Sequence, residues 1–392
     1  LSLHLLLSCG EPSGDLYAGA LTRELRALCP DLTIGGLGGP RFAEAGGRLV
    51  EDYRGLAVTG LTEAVKKLPR SRAAMSRLVS AAERERPAAL IVIDFPDFNF
   101  RLARRVKALG IPVVYYIGPQ IWAWRAGRLK TIRSLADRVL VIFPFEESIY
   151  REGAVPVEFV GHPLVDLARP SAPREAFLRA RGLDPGGRVV AILPGSRTNE
   201  VAHTLPDLVA AGAIIKRQVP DAQFVVARAP HLDDALFDVV AKAGLPAAIV
   251  ENDTDAALAS ADLALTASGT ATVQTALHDT PMVIVYRLSA ITYTIVRRMV
   301  RVPAIGMVNL IAGEKIVPEL IQDAFTPEAV AAEAVSMLTD AGRVARVRQG
   351  LARVRSRLGP PGASRRAAES ILRVAGYRLQ ARGGAVTSAS NG

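Results

Sequence analysis

Residues 88–110 read AALIVIDFPDFNFRLARRVKALG, and Pro112–Ile117 continue as PVVYYI. The apolar run Ala88–Asp94 reads as a strand, Asn99–Leu109 as a helix and Pro112–Ile117 as the next strand. Strand, crossover helix and strand make the unit of a parallel α/β sheet. Working outward, the same alternation recurs. Strand patterns lie at Leu1–Ser8, Thr33–Leu37, Arg138–Ile142 and Val157–Val160, with helical stretches at Leu16–Leu28 and Ser71–Glu85. After Pro163 the series restarts with Arg188–Leu193, Gln223–Ala227, Ala247–Val250, Leu263–Thr266 and Met282–Tyr286. Ala168–Pro173, with two prolines and no apolar period, reads as the linker. The expectation is two Rossmann-like, doubly wound α/β domains, 1–165 and 166–340, facing each other across a cleft. Basic helices over 341–382, broken at Gly359-Pro360-Pro361-Gly362, are expected to pack back on the first domain or on a partner subunit. The Gly/Ser/Ala-rich end, 383–392, reads as disordered.

The 392 residues carry 48 Lys+Arg against 38 Asp+Glu, a net charge of +10. From Gly342 onward there are eleven arginines and one carboxylate, Glu369, so that segment alone accounts for the excess. Three partners fit such a tail: nucleic acid, an anionic membrane surface, or water around a solvated helix. The body lacks the interleaved aromatic and basic residues of a nucleic-acid platform, so no nucleic acid is expected and a membrane surface ranks first. The hydrophobic fraction of 49% with 22% charged excludes a disordered chain. Two cysteines, Cys9 and Cys29, cannot build a disulfide framework, which points to a reducing compartment. No apolar stretch approaches the roughly 18 residues of a spanning helix, and Leu1–Leu7 reads as a first buried strand, not a signal peptide.

Open α/β sheets bind ligands beyond the carboxyl ends of their strands, so those ends are the places to search. After the first strand, Gly10-Glu11-Pro12-Ser13-Gly14-Asp15 opens a helix. It is either an anion-binding helix N-terminus or a tight turn capped by Ser13 or Asp15. It is not GxGxxG, so a dinucleotide fingerprint is absent. Asp94 ends a strand as a candidate general base, and Asp97 looks like the cap of the following helix. Pro119-Gln120-Ile121-Trp122-Ala123-Trp124-Arg125 holds both tryptophans, as pocket lining or buried structure. In the second half, Gly195-Ser196-Arg197 places an arginine on a turn, suited to a bidentate grip on a diphosphate or simply exposed on the surface. Ser268-Gly269-Thr270 opens another helix with small residues, and Gln274 follows on its first turns. Asp253-Thr254-Asp255 matches a metal-holding DxD, but capping by Asp253 or Thr254 is the more economical reading, so no metal is expected. His162 sits at the domain junction, structural or facing the cleft.

Taken in order, these motifs resemble the lipid-A-disaccharide synthase family. The matching runs are Gly10–Asp15, Gly38-Gly39-Pro40-Arg41, Ile93–Asn99, Pro119–Arg125, Phe143-Pro144-Phe145-Glu146 and Gly161-His162-Pro163-Leu164. Leu193–Arg197, Ala267–Ala271, Asn309-Leu310-Ile311-Ala312-Gly313 and Val317-Pro318-Glu319-Leu320 complete the series. The resemblance implies a GT-B fold and an inverting transferase that joins UDP-2,3-diacylglucosamine to 2,3-diacylglucosamine 1-phosphate, releasing UDP. It implies no metal and no organic cofactor, and work at the cytoplasmic face of the inner membrane as a peripherally associated monomer or homodimer. Asp94 takes the part of base, with Glu11 beside it as a catalytic candidate. Gly195, Ser196, Arg197, Ser268, Gly269, Thr270, Gln274 and Asn309 form the UDP side, and Ser13, Gly14 and Asp15 the acceptor-side loop. Two departures stand out: Gln274 replaces a more usual Glu, and Pro12 a more usual Ala. Gln still hydrogen-bonds two ribose hydroxyls, without the charge. For membrane docking, Thr59–Leu68 and the residues after it mix Leu61, Val65 and Leu68 with Lys66, Lys67, Arg70 and Arg72, an amphipathic basic pattern. Other readings are a different UDP-sugar transferase acting on a lipid-linked acceptor, a non-catalytic nucleotide-sugar-binding protein, and a basic RNA-binding protein. Asp94 argues against the sugar-binding protein, and the balanced charge before the tail argues against RNA.

Overall fold

A computed structural model describes residues 3–54, 56, 61–119, 128–230, 232–287 and 306–378, with only the backbone described for 61–68 and 128. The first half is built on a seven-stranded parallel sheet in the order β3-β2-β1-β4-β5-β6-β7. Its strands are β1 His4–Cys9, β2 Thr33–Gly38, β3 Arg48–Asp52, β4 Ala89–Ile93, β5 Val113–Tyr116, β6 Arg138–Val141 and β7 Val157–Phe159. Helices α1 Pro12–Leu28, α2 Pro40–Glu44, α3 Leu61–Glu85, α4 Pro96–Lys107, α5 Arg128–Leu135 and α6 Pro144–Glu152 connect them. The second half is a six-stranded parallel sheet in the order β10-β9-β8-β11-β12-β13. These strands are β8 Arg188–Leu193, β9 Ala222–Arg228, β10 Ala247–Glu251, β11 Leu263–Ala267, β12 Met282–Tyr286 and β13 Glu319–Ile321. Short helices α7 Leu164–Leu167 and α8 Arg174–Arg179 flank the linker. Helices α9 Thr198–Gln218, α10 Asp238–Lys242, α11 Thr254–Ala259, α12 Thr270–Leu277, α13 Met307–Ala312 and α14 Pro327–Thr339 belong to the second half.

Burial on both faces explains the unbroken apolar strands. Along β1, Leu5 and Leu7 join the core under α1, while Leu6 faces the other way with Leu78 of α3 and Leu102 of α4. Every residue of β4 is buried. In each sheet the strand order reverses at the first strand: β1 lies between β2 and β4, and β8 between β9 and β11. Crevices open at such switch points, beyond the carboxyl ends of the strands. Those four ends are Cys9, Ile93, Leu193 and Ala267.

Two strands were not expected. β3 and β13 are edge strands carrying charge, Arg48, Glu51 and Asp52 in one and Glu319 in the other. Edges need no apolar run, so they leave little trace in the sequence. The helix expected at Ser71–Glu85 starts at Leu61 and runs through Pro69. Proline removes one intrahelical hydrogen bond without ending this helix.

The C-terminal helices α15 Ala341–Arg357 and α16 Ala363–Val374 divide between the halves. α15 packs on α12, α13 and α14, whereas α16 lies against α1. At the break between them Gly359, in the left-handed region at φ 84°, sits so close to Gly161 that a Cβ would come within 3.1 Å of its Cα. Arg366 fastens the crossing, donating to the carbonyls of Val160 at 2.9 Å and of Pro360 and Pro361 at 2.7 Å each. Five other arginines of this segment pair with carboxylates. Arg355 pairs with Asp279, Arg353 with Glu314, Arg343 with Glu333, Arg365 with Glu24 and Arg373 with Glu158. Part of the tail's charge is therefore paired with carboxylates of both halves, while Arg353 and Arg373 remain about half exposed in their pairs. Among the described residues no helix is long and apolar enough to cross a membrane.

Candidate active site

A cavity of about 380 Å³ lies where the ends of the two sheets face each other. From the first half it is lined by Ser13, Gly14, Tyr17, Ile93, Asp94, Phe143, Glu146 and His162, and from the second by Arg197, Thr270, Val273 and Met307.

Asp94 follows β4 directly and is half-buried. It and Phe95 both adopt left-handed backbone, φ 44° and 49°, an uncommon and strained pair. The turn is over-determined by its surroundings. Asn99 Nδ2 and the Tyr115 hydroxyl donate to the Asp94 carbonyl at 2.7 and 2.9 Å. Asn99 is itself buried and held by the Ser8 hydroxyl at 2.7 Å. Gly10 completes the turn, because a Cβ there would lie 2.2 Å from the Phe95 ring. Burial raises the Asp94 carboxyl to about 6, and the nearby Glu11 adds to the rise, while the Phe95 N–H and Arg197 oppose it. Asp97, expected as a helix cap, is instead an exposed residue of the first turn of α4, whose N-cap position is Phe95.

The loop after β1 also differs from expectation. Neither Ser13 nor Asp15 caps α1; Glu11 occupies the N-cap position without making a side-chain cap bond. Asp15 is buried and turned away, accepting from the N–H groups of Gly39, Arg41 and Phe42 at 2.8, 2.9 and 3.1 Å. It caps the N-terminus of α2 and does not line the cavity. Ser13 and Gly14 do.

In the second half Gly195 has φ 120°, and Ser196 N–H donates to Glu200 at 3.0 Å, closing the turn that projects Arg197. Gly195 and Ser196 shape this turn; Arg197 reaches into the cavity. Its guanidinium crosses the cleft to Glu11, Nη2 to Oε1 at 2.6 Å. Burial works against the charge, but Glu11 overcomes it and raises the Arg197 pKa, while burial pushes the Glu200 carboxyl up. Gly269, φ 151°, precedes α12, and a Cβ there would meet nothing within 4 Å; it and Ser268 stand just before the cavity-lining Thr270. The first turn of a helix leaves N–H groups without intrahelical partners, and here they border a cavity lined by Thr270.

Two residues expected on the UDP side are occupied elsewhere. Asn309 is buried, donating to Val317 carbonyl and Glu319 Oε1 at 3.0 and 2.7 Å and accepting from Ile316 and Val317 N–H at 2.9 and 3.1 Å. Its side-chain bonding goes into the loop before β13 and the first residue of that strand. Gln274 donates to Asp255 Oδ1 at 2.7 Å, and His278 Nε2 meets the same oxygen at 2.7 Å. The DxD pattern is thus absorbed: Asp253 makes no cap bond and instead binds Ser171 at 2.6 Å and Arg181 at 2.7 Å. Among the described residues no cluster of His, Cys, Asp or Glu is arranged to hold a metal.

His162 faces the cavity and is buried between Tyr17 and Phe143, with ring centroids 6.1 and 5.3 Å away. Burial lowers its pKa to about 3, so the ring is neutral. Nδ1 accepts from Leu164 N–H at 3.2 Å, leaving the proton on Nε2. Glu146 also lines the cavity, and Asn99, Tyr115 and Glu200 support its turns; the sequence pattern assigns none of the four a role. Trp122, Trp124 and the rest of 120–127 lie outside the described residues, as do the side chains of Leu61, Val65, Lys66, Lys67 and Leu68.

The family model for lipid-A-disaccharide synthetase matches residues 5–372. A lipid-A-disaccharide synthase of Geobacter sulfurreducens is 41% identical over 379 residues, covering 96% of this chain and 99% of that protein. One from Myxococcus xanthus is 42% identical, covering 94% and 96%. Among solved structures, UDP-GlcNAc 2-epimerase from Neisseria meningitidis bound to UDP-GlcNAc superposes with TM-score 0.68 at 11% identity, over 95% of this chain and all (100%) of that one. The glycotransferase of kitacinnamycin gives TM-score 0.60 at 17% identity, over 95% and 99%. These two share the fold, the two-domain GT-B arrangement. With sequence agreement running from the first strand to the last helix, the chain belongs to the lipid-A-disaccharide synthase family.

Proposed function

We propose that this protein is an inverting glycosyltransferase that joins UDP-2,3-diacylglucosamine to 2,3-diacylglucosamine 1-phosphate, forming the lipid A disaccharide 1-phosphate and UDP. The observation that carries the chemistry is one cavity lined by Asp94 from the first half and Arg197 from the second. The acceptor's 6-hydroxyl must lose a proton as it attacks the anomeric carbon opposite the departing UDP. Asp94, with its carboxyl raised to about 6, is ionised at neutral pH yet basic enough to take that proton. Arg197 and the N-terminus of α12, behind Ser268, Gly269 and Thr270, suit the charge that grows on the leaving diphosphate. Two sources of positive potential then supply what a metal cation would otherwise provide, and neither a metal nor an organic cofactor enters this reading. His162, through Nε2–H, adds a neutral donor to the acceptor side.

Both substrates are lipids, so the enzyme docks peripherally on the inner membrane from the cytoplasmic side. The outer face of the first half favours this role. Arg72 of α3, Arg101, Arg104 and Arg105 of α4, and Lys130 and Arg133 of α5 are exposed there. α4 packs between α3 and α5, so these charges share one layer. The deciding experiment for the activity is mass spectrometry of products after supplying both diacylglucosamine substrates: a disaccharide 1-phosphate is expected, and hydrolysis to free sugar alone would overturn the reading.

A further inference from the structure

Arg197 is the one cation among the described residues lining the cavity, and it is already engaged. Its partner Glu11 comes from the opposite half, so their 2.6 Å contact bridges the cleft. The side chains of Arg197 and Glu11 are 54% and 32% exposed, and a pair so open to water is weak and easily exchanged. The charged and titratable neighbours are few. Arg197 is also faced by Glu200 and Tyr286, and Asp94 by Glu11, Arg197 and Tyr17. A nucleoside diphosphate entering this cavity needs the guanidinium that Glu11 holds, and one planar fork serves one bidentate anion well.

We propose that Glu11 is a place-holder for the donor's diphosphate: it holds Arg197 in the empty cleft and yields it when the donor enters, so that one carboxylate links donor occupancy to the charge beside Asp94. This rests on the nucleotide-sugar reading given above. Once Arg197 turns to the diphosphate, Glu11 loses its counter-ion while still beside Asp94. The negative charge then makes Asp94 a stronger base at the moment the sugar is in place. Before that moment the cleft is kept tied and its base partly compensated. Glu11 is thus a positioning residue, acting through Arg197 and Asp94 and not on the substrate's reacting atoms.

The test is calorimetric titration of UDP into wild type, Glu11→Gln and Glu11→Asp, with the pH profile of kcat for each. Glu11→Gln keeps the shape and loses the charge; Glu11→Asp keeps the charge and loses the reach. Both are expected to bind UDP about two- to fivefold more tightly than wild type, because the competing pair is gone. The acid limb of kcat is expected to move to lower pH in Glu11→Gln and to stay near its wild-type position in Glu11→Asp. If UDP binds wild type and both variants alike, or binds the variants more weakly, the place-holder role is overturned while the nucleotide site stands. Tightening in Glu11→Gln alone would show simple repulsion of the diphosphate and would overturn it too. If wild type does not bind UDP at all, the functional reading itself falls.

Discussion

Asp94→Asn isolates the chemistry from the backbone. Asp94 sits at φ 44°, a region asparagine tolerates better than alanine, so the turn held by Asn99 and Tyr115 survives the change. Loss of a general base costs about 10²–10⁴ in turnover. The same substitution is expected to stabilise the protein at neutral pH. The folded carboxyl titrates at about 6 against an ordinary value of 3.8, so the folded state holds this proton more tightly than the unfolded chain. Stability attributable to this group therefore falls as pH rises from 3.8 to 6, and the full penalty is present above about 6. The gap corresponds to about 3 kcal/mol at full strength, and partial exposure reduces the expected gain to about 1–2 kcal/mol. Steady-state turnover and urea melts at pH 7.5 and pH 4 read both effects. In wild type kcat should fall about tenfold per unit below pH 6. Wild-type turnover in Asp94→Asn, or a crippled Asp97→Asn beside it, would refute the assignment. A gain in stability equal at both pH values would refute the account of the shifted carboxyl.

Arg197→Ala should weaken UDP binding and slow transfer together, as calorimetry and kinetics would show, because the guanidinium meets charge that grows in the transition state. EDTA should leave turnover unchanged; a strict divalent requirement would return attention to Asp253 and Asp255. Asn309→Ala should lower the urea midpoint by an amount worth about 1–3 kcal/mol, since the buried N–H of Val317 and the part-buried N–H of Ile316 lose their acceptor. UDP affinity of the folded protein should not change; a selective loss of affinity would restore Asn309 to the binding site. Neutralising Arg101, Arg104 and Arg105 should lower binding to anionic vesicles, at about 1 kcal/mol per charge in low salt, and leave binding to neutral vesicles untouched.

The parallel architecture was readable because strands buried on both faces must be apolar throughout, as in β4 and β8. β3 and β13 are edge strands that carry charge in place of an apolar run, and so were not expected, whereas the more apolar edges β7 and β10 were. Asp94 and Arg197 were legible from their place at strand ends, and the structure brings both to one cavity. The rest of the site depended on direction, which a sequence does not state. Asp15 stands in the same motif as the cavity residues Ser13 and Gly14, and Asn309 two residues from Met307, yet the side chains of both turn inward to satisfy backbone N–H groups. Glu200 and Asn99 act through distance-specific bonds to a turn, and their spacing alone resembles any helix opening. Four of the arginines after Gly342 pair with Glu24, Glu158, Asp279 and Glu314, which lie far away in the chain, so these pairs leave no sequence signal.

The return of α16 to the first half has a mechanical consequence. The polypeptide passes between the halves twice, through the linker 168–173 and again through 359–362. A single tether would let one half swivel about any direction. Two tethers restrict that swivel more than one does. The crossings lie side by side, Gly362 N–H donating to Asp166 Oδ2 at 2.8 Å, and Arg366, bound to Val160 and to Pro360 and Pro361, braces the second. Any movement of one half against the other must therefore bend the chain at both crossings together.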